Sequence, residues 1–120
     1  FLCTALKYAP GRSCHMYRDI LTMCWSIREV NRNLTDRKQT MEYSIRYLKN
    51  ACSELALMIR ELGRSMPEES IEVVDGAGRK SSLRLADISE MLYDPRKIVE
   101  LNLIDCIDRW ARARAASEER

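Results

Sequence analysis

Glycine and proline are scarce in this 120-residue chain, at four and three residues, and none falls between Gly11 and Gly63. So long a stretch without a breaker argues against a loop-rich or many-stranded first half. Aromatic residues make up 7% of the chain, so aliphatic and methionine side chains must fill most of the core. Histidine occurs once, as His15, and no two cysteines form a tight knuckle. That spacing argues against a metal site at Cys3, Cys14, His15 and Cys24, although those residue types suit zinc. No apolar run approaches the ~20 residues of a membrane-spanning helix. The opening FLCTALKY is too short for a signal peptide and lacks a basic start. An excess of either charge is also missing. Twenty basic residues face eighteen acidic ones, for a net +2, which gives no push toward nucleic acid or an anionic surface.

The five cysteines are odd in number and spread widely. They read as thiols used as small hydrophobes in a reducing compartment, so an intracellular protein is expected, cytoplasmic or nuclear. Asn33-Leu34-Thr35 matches a glycosylation acceptor, a triplet common by chance. The chain opens on Phe1, which reads as a processed chain or a domain excised from a larger protein. Its length suits one domain over 1–120.

What is present is helical periodicity. Pro10-Gly11 breaks the chain, and Ser13 can cap a helix beginning there. Met16, Ile20, Met23, Ile27, Val30 and Leu34 are spaced 4, 3, 4, 3, 4. Met41, Ile45, Leu48, Cys52, Leu55, Ile59 and Leu62 repeat the pattern. Both are heptad seams of long amphipathic helices. NRNLTD over 31–36 offers Asn33 for a left-handed cap and Thr35 or Asp36 as a new N-cap, so a turn is expected there. The heptad phase carries across it, and one continuous helix over 13–62 is the competing reading.

The second half changes period. Gly63 should end the second helix, and Ser65-Met66-Pro67-Glu68 suggests one short turn. Ile71 and Val73, then Leu83 and Leu85, alternate with polar residues around Asp75-Gly76 and Gly78. That pattern predicts a β-hairpin over about 71–85, its four apolar residues on one face. Asp87-Ile88-Ser89-Glu90 resembles a capping box for a short helix, and Asp94-Pro95 caps another. The last helix is expected to run unbroken to about Ala113. Val99, Leu103, Cys106 and Trp110 would line its stripe, Asp105/Arg109 and Asp108/Arg112 would pair on its wet face, and ASEER would fray. The fold class is therefore mainly α: a bundle of two long antiparallel helices and a long C-terminal helix, with one inserted hairpin.

No catalytic constellation emerges. Cys14 and His15 are adjacent and point about 100° apart on a helix, a poor dyad. Cys52 and Cys106 lie on apolar stripes, where burial makes a thiol inert. GAGRKSS over 76–82 lacks the phosphate-loop order and opens no helix. Ser81 and Ser82 follow Arg79-Lys80 as a basic-directed kinase requires, and a phosphate there would sit beside Arg79, Lys80 and Arg84. Arg79, Lys80 and Arg84 on the hairpin, with Arg109, Arg112 and Arg114 near the C-terminus, are the candidate nucleic-acid contacts.

The most informative feature is excess apolar surface on the first helix. Tyr17, Leu21 and Trp25 form a second stripe one residue off the seam, widening the apolar arc beyond a simple surface helix. These three are the candidate partner-binding residues, and internal cover of the flank by the C-terminal helix and the hairpin is the competing reading. The expected function is a non-catalytic protein–protein interaction or oligomerisation domain, an adaptor or scaffold element. A homodimer is one form of it, and no cofactor, metal or small-molecule substrate is expected. The alternative is a nucleic-acid-binding regulatory domain using the hairpin and the C-terminal arginines.

Overall fold

The computed structural model describes residues 13–35 and 41–118, with side chains over 16–32 and 45–117. In chain order the elements are α1 (Ser13–Thr35), α2 (Met41–Ser65), β1 (Ser70–Val74), β2 (Lys80–Arg84), α3 (Leu85–Met91), α4 (Pro95–Glu100) and α5 (Leu103–Glu118). The fold is mainly α with one inserted antiparallel hairpin.

α1 and α2 are separate helices packed on each other, not one rod. The hydroxyl of Tyr17, near the start of α1, donates to Met66 Sδ just past the end of α2 at 3.8 Å. The two helices therefore run antiparallel. Their joint differs from expectation in one detail. Asn33 is helical rather than a left-handed cap, since α1 continues to Thr35. Asp36, the other expected cap, lies outside the described residues.

α1 has two neighbours, α2 on one side and α5 on the other. This explains its wide apolar arc. Met16, Tyr17, Ile20, Cys24 and Ile27 are all buried, while Met23 is half-buried. On α2, Leu55, Ile59 and Leu62 are buried, Leu48 and Cys52 are half-buried, and Ile45 is exposed despite its heptad position.

Gly63 does not end α2, which runs two residues further to Ser65. A Cβ at Gly63 would stand 3.1 Å from Leu85 Cβ, so the glycine lets α3 approach closely. A turn comes next, with Glu69 N–H donating to Met66 O at 3.1 Å.

The hairpin pairs Ile71 with Leu83, Glu72 with Ser82 and Val73 with Ser81. Ile71 and Val73 are buried, Leu83 is half-buried, and α5 packs against β1. Asp75 organises the tip. Its Oδ1 accepts from Ala77 N–H and Arg79 N–H, both at 2.9 Å. Gly78 takes φ +82°, a conformation that side chains disfavour.

Three expectations about the remaining helices need correction. Leu85 is not a strand residue: it is buried as the first residue of α3, which opens without the Asp87 capping box. The hairpin consequently ends at Arg84. The last helix is not continuous from Pro95. Asp94 caps α4 as expected, accepting from Arg96 N–H at 3.0 Å, but Asn102 at φ 48° separates α4 from α5. The break takes Val99 off the apolar stripe and leaves it 75% exposed, while Leu103, Cys106 and Ile107 face the core. At its far end α5 stays helical to Glu118 rather than stopping near Ala113.

Candidate functional site

The structure divides the Tyr17, Leu21 and Trp25 stripe. Tyr17 is 0% exposed and meets Trp110 of α5 edge to face. It is a core residue, not a surface anchor, because α5 lies across that part of α1. Leu21 is half-buried against the core. Trp25 is 62% exposed: α5 still reaches α1 at Arg28, but the stripe drifts about 80° around the helix between Tyr17 and Trp25 and leaves the covered side. The candidate partner surface therefore reduces to Trp25 with Leu21 at its edge.

An ion-pair network fixes the neighbouring stretch of α1. Arg28 Nε donates to Asp105 Oδ1 at 3.1 Å, and Arg28 Nη1 lies 3.4 Å from Asp108 Oδ2. Asp108 is buried and also accepts from Arg112 Nε at 3.0 Å. Burial works against the Arg28 charge. The hydrogen bond to Asp105 and the charge of Asp108 outweigh it, so the guanidinium pKa is raised. The Asp108/Arg112 pair was legible from spacing. Asp105 instead turns away from Arg109 to Arg28.

A shallow groove of about 220 Å³ lies beside this network, lined by Arg28, Ile98, Val99 and Asp105 among others. Its lining includes no Ser, Cys, His or Lys, and its two charged groups pair with each other. It supplies no nucleophile beside a base.

The basic residues of the alternative reading are partly engaged. Arg114 is held by both carboxylate oxygens of Glu69, the nearer contact being Nη2 to Oε2, and Trp110 Nε1 donates to the same Glu69 at 2.9 Å. Arg112 belongs to Asp108, while Arg109 is exposed with its Nη2 3.9 Å from Cys106 Sγ. On the hairpin, Arg79 lies 3.3 Å from Asp75 and Lys80 lies 3.8 Å from Glu72. Ser81, Ser82 and Arg84 are exposed.

Sequence reasoning missed Glu69 and Arg28. Neither carries a local signal, because the partners of each lie on a distant element. Of the described thiols, Cys24 and Cys106 are buried and Cys52 is half-buried. Burial foremost, with the charge of Asp108 adding, pushes Cys24 up to about 12, and burial raises Cys52. Among the described residues no group of three or more His, Cys, Asp or Glu is placed to hold a metal ion. Cys3 lies outside the described residues, as do the side chains of Cys14 and His15. No described helix is long and apolar enough to cross a membrane.

Compared with family models, curated proteins and solved structures, the chain matches none.

Proposed function

We propose that this chain is a non-catalytic protein-interaction domain, an adaptor or scaffold element of an intracellular protein. It packs the open flank of α1 against another protein or a second copy of itself. The observation that carries the reading is the exposure of Trp25. It stands 62% open on a helix whose Met16, Tyr17, Ile20, Cys24 and Ile27 are all buried. Tryptophan is the largest apolar side chain and a favoured interface anchor. Leu21 beside it extends the apolar area, and Arg28, fixed by two carboxylates, gives the surface a polar margin. Burial of this flank supplies the driving force.

The test joins light scattering across a concentration series to photo-crosslinking from position 25. Mass should rise above the monomer with concentration and fall back in Trp25→Ser. If the partner is another protein, a photo-reactive side chain at position 25 captures it in cells and one at Arg60 does not. A monomer at every concentration with no capture from position 25 would overturn the proposal. Tight duplex or single-strand binding at physiological salt, lost in Arg79→Glu with Lys80→Glu, would put the nucleic-acid alternative in its place.

A further inference from the structure

We propose that Ser82 is a phosphorylation site for a basic-directed protein kinase. The sequence around it reads Arg79-Lys80-Ser81-Ser82-Leu83. It places basic residues three and two positions before the acceptor and an apolar residue just after it. Kinases with acidic substrate clefts discriminate by such charge patterns.

The hairpin supplies what the sequence pattern alone does not. Arg79, Lys80, Ser81 and Ser82 are all exposed, and β2 holds three of them in the extended form that a substrate cleft accepts. β2 is an edge of a two-stranded sheet, with one side free of strand pairing. Arg79 is 83% exposed in its pair with Asp75 and can be drawn off by a competing acidic cleft at little cost.

Register chooses between the serines. Ser81 pairs with Val73, which is buried, so Ser81 belongs to the inward face of the ribbon. Ser82 pairs with Glu72 on the outward face. Lys80 and Arg84 stand two residues either side of it on that same face. The reaction is a transfer from a nucleoside triphosphate bound by the kinase. Ser82 Oγ forms a bond to the γ-phosphorus, the bond from that phosphorus to the β–γ bridging oxygen breaks, and the nucleoside diphosphate leaves. The hydroxyl proton passes to the base of the kinase and then to water.

The product reverses a local charge. Glu72, Lys80 and Arg84 sum to +1 on the outward face, and a phosphate of about −2 takes that face to about −1. Lys80 and Arg84 flank the new group, and Lys80 is drawn from Glu72, now 3.8 Å away.

The experiment incubates the folded chain with ATP and the catalytic domain of a basic-directed kinase, then maps the product by mass spectrometry. One phosphate is expected on Ser82, absent in Ser82→Ala and retained in Ser81→Ala. Arg79→Ala should slow incorporation roughly tenfold or more, the loss of a charge-assisted contact. No incorporation, preferential modification of Ser81, or modification only after heat denaturation would overturn the proposal.

Discussion

Tyr17 and Trp110 meet edge to face, their ring centroids 5.4 Å apart and their planes at 83°. The contact ties the first long helix to the last one, and Tyr17 is fully buried. Tyr17→Ala should therefore cost about 3–5 kcal/mol, as large aromatic truncations in cores do. A double-mutant cycle with Trp110→Ala should give a coupling of about 0.5–1.5 kcal/mol. Trp25→Ser, on the open flank, should stay within about 1 kcal/mol. Urea unfolding of the set measures all three. A Trp25→Ser loss as large as that of Tyr17→Ala would make the flank part of the core.

Glu69 gathers Trp110 Nε1 and the Arg114 guanidinium onto one carboxylate, itself mostly covered at 19% side-chain exposure. Glu69→Ala strands both donors and should cost about 1–3 kcal/mol. Glu69→Gln keeps an oxygen for one donor and should cost less. Both variants should shift Trp110 fluorescence in a Trp25→Phe background. Equal stability of Glu69→Ala and the unmodified chain would show the clamp to be idle.

Alkaline pH should destabilise the domain through Cys24. In the unfolded chain this thiol ionises from its ordinary value of 9.0, whereas in the fold burial pushes it up to about 12. Between those values the unfolded state has released a proton that the folded state keeps, so stability falls as pH rises. The slope from this one group approaches about 1.4 kcal/mol per pH unit above its ordinary value. Below that value the contribution is fully present. Melts from pH 7 to 10.5 (roughly the accessible range) should show a steeper loss in the unmodified chain than in Cys24→Ala. Parallel curves would count against burial as the cause.

Gly63 sits in the last turn of α2, two residues before its end, where alanine ordinarily stabilises by up to about 1 kcal/mol. Here a Cβ would lie 3.1 Å from Leu85 Cβ. Gly63→Ala should forfeit that gain, and Gly63→Val should cost about 1–3 kcal/mol by overpacking. Leu85→Ala in the same chain should shrink the valine penalty. A valine variant that melts above the unmodified chain would remove the close-approach argument.

The long helices were legible because their signal is local: apolar residues at helical spacing with no breaker between them. Asp75-Gly76 with Gly78 marked the hairpin, and Asp94-Pro95 marked the start of α4. The hidden features depend on partners far along the chain. A reading by spacing offers Asp105 only Arg109, while its partner Arg28 lies 77 residues away. Tyr17 could be an outer anchor or a residue covered by the C-terminal helix, and nothing local decides that α5 lies over it. Val99 fell on a stripe counted through Asn102, an asparagine whose tolerance of positive φ resets the phase. Gly63 carries two meanings, helix end or close approach, and only the position of Leu85 decides between them. Of the candidate interaction surface, Trp25 was visible in the sequence, but its separation from Tyr17 was not.

The placement of α1 between α2 and α5 also sets an order of events in time. α1 is synthesised before the other described elements, and one of its two neighbours is the last of the described helices. While the ribosome is still working, α2 can pair with α1, yet the side that carries Tyr17 stays wet. The hairpin is in the same position, because Ile71 and Val73 on β1 wait for α5 as well. Domains commonly fold as units during synthesis, but this one cannot close until its last turns have emerged. A nascent chain halted before Leu103 should remain open to protease and to chaperones, and one extended past Glu118 should be protected in one step.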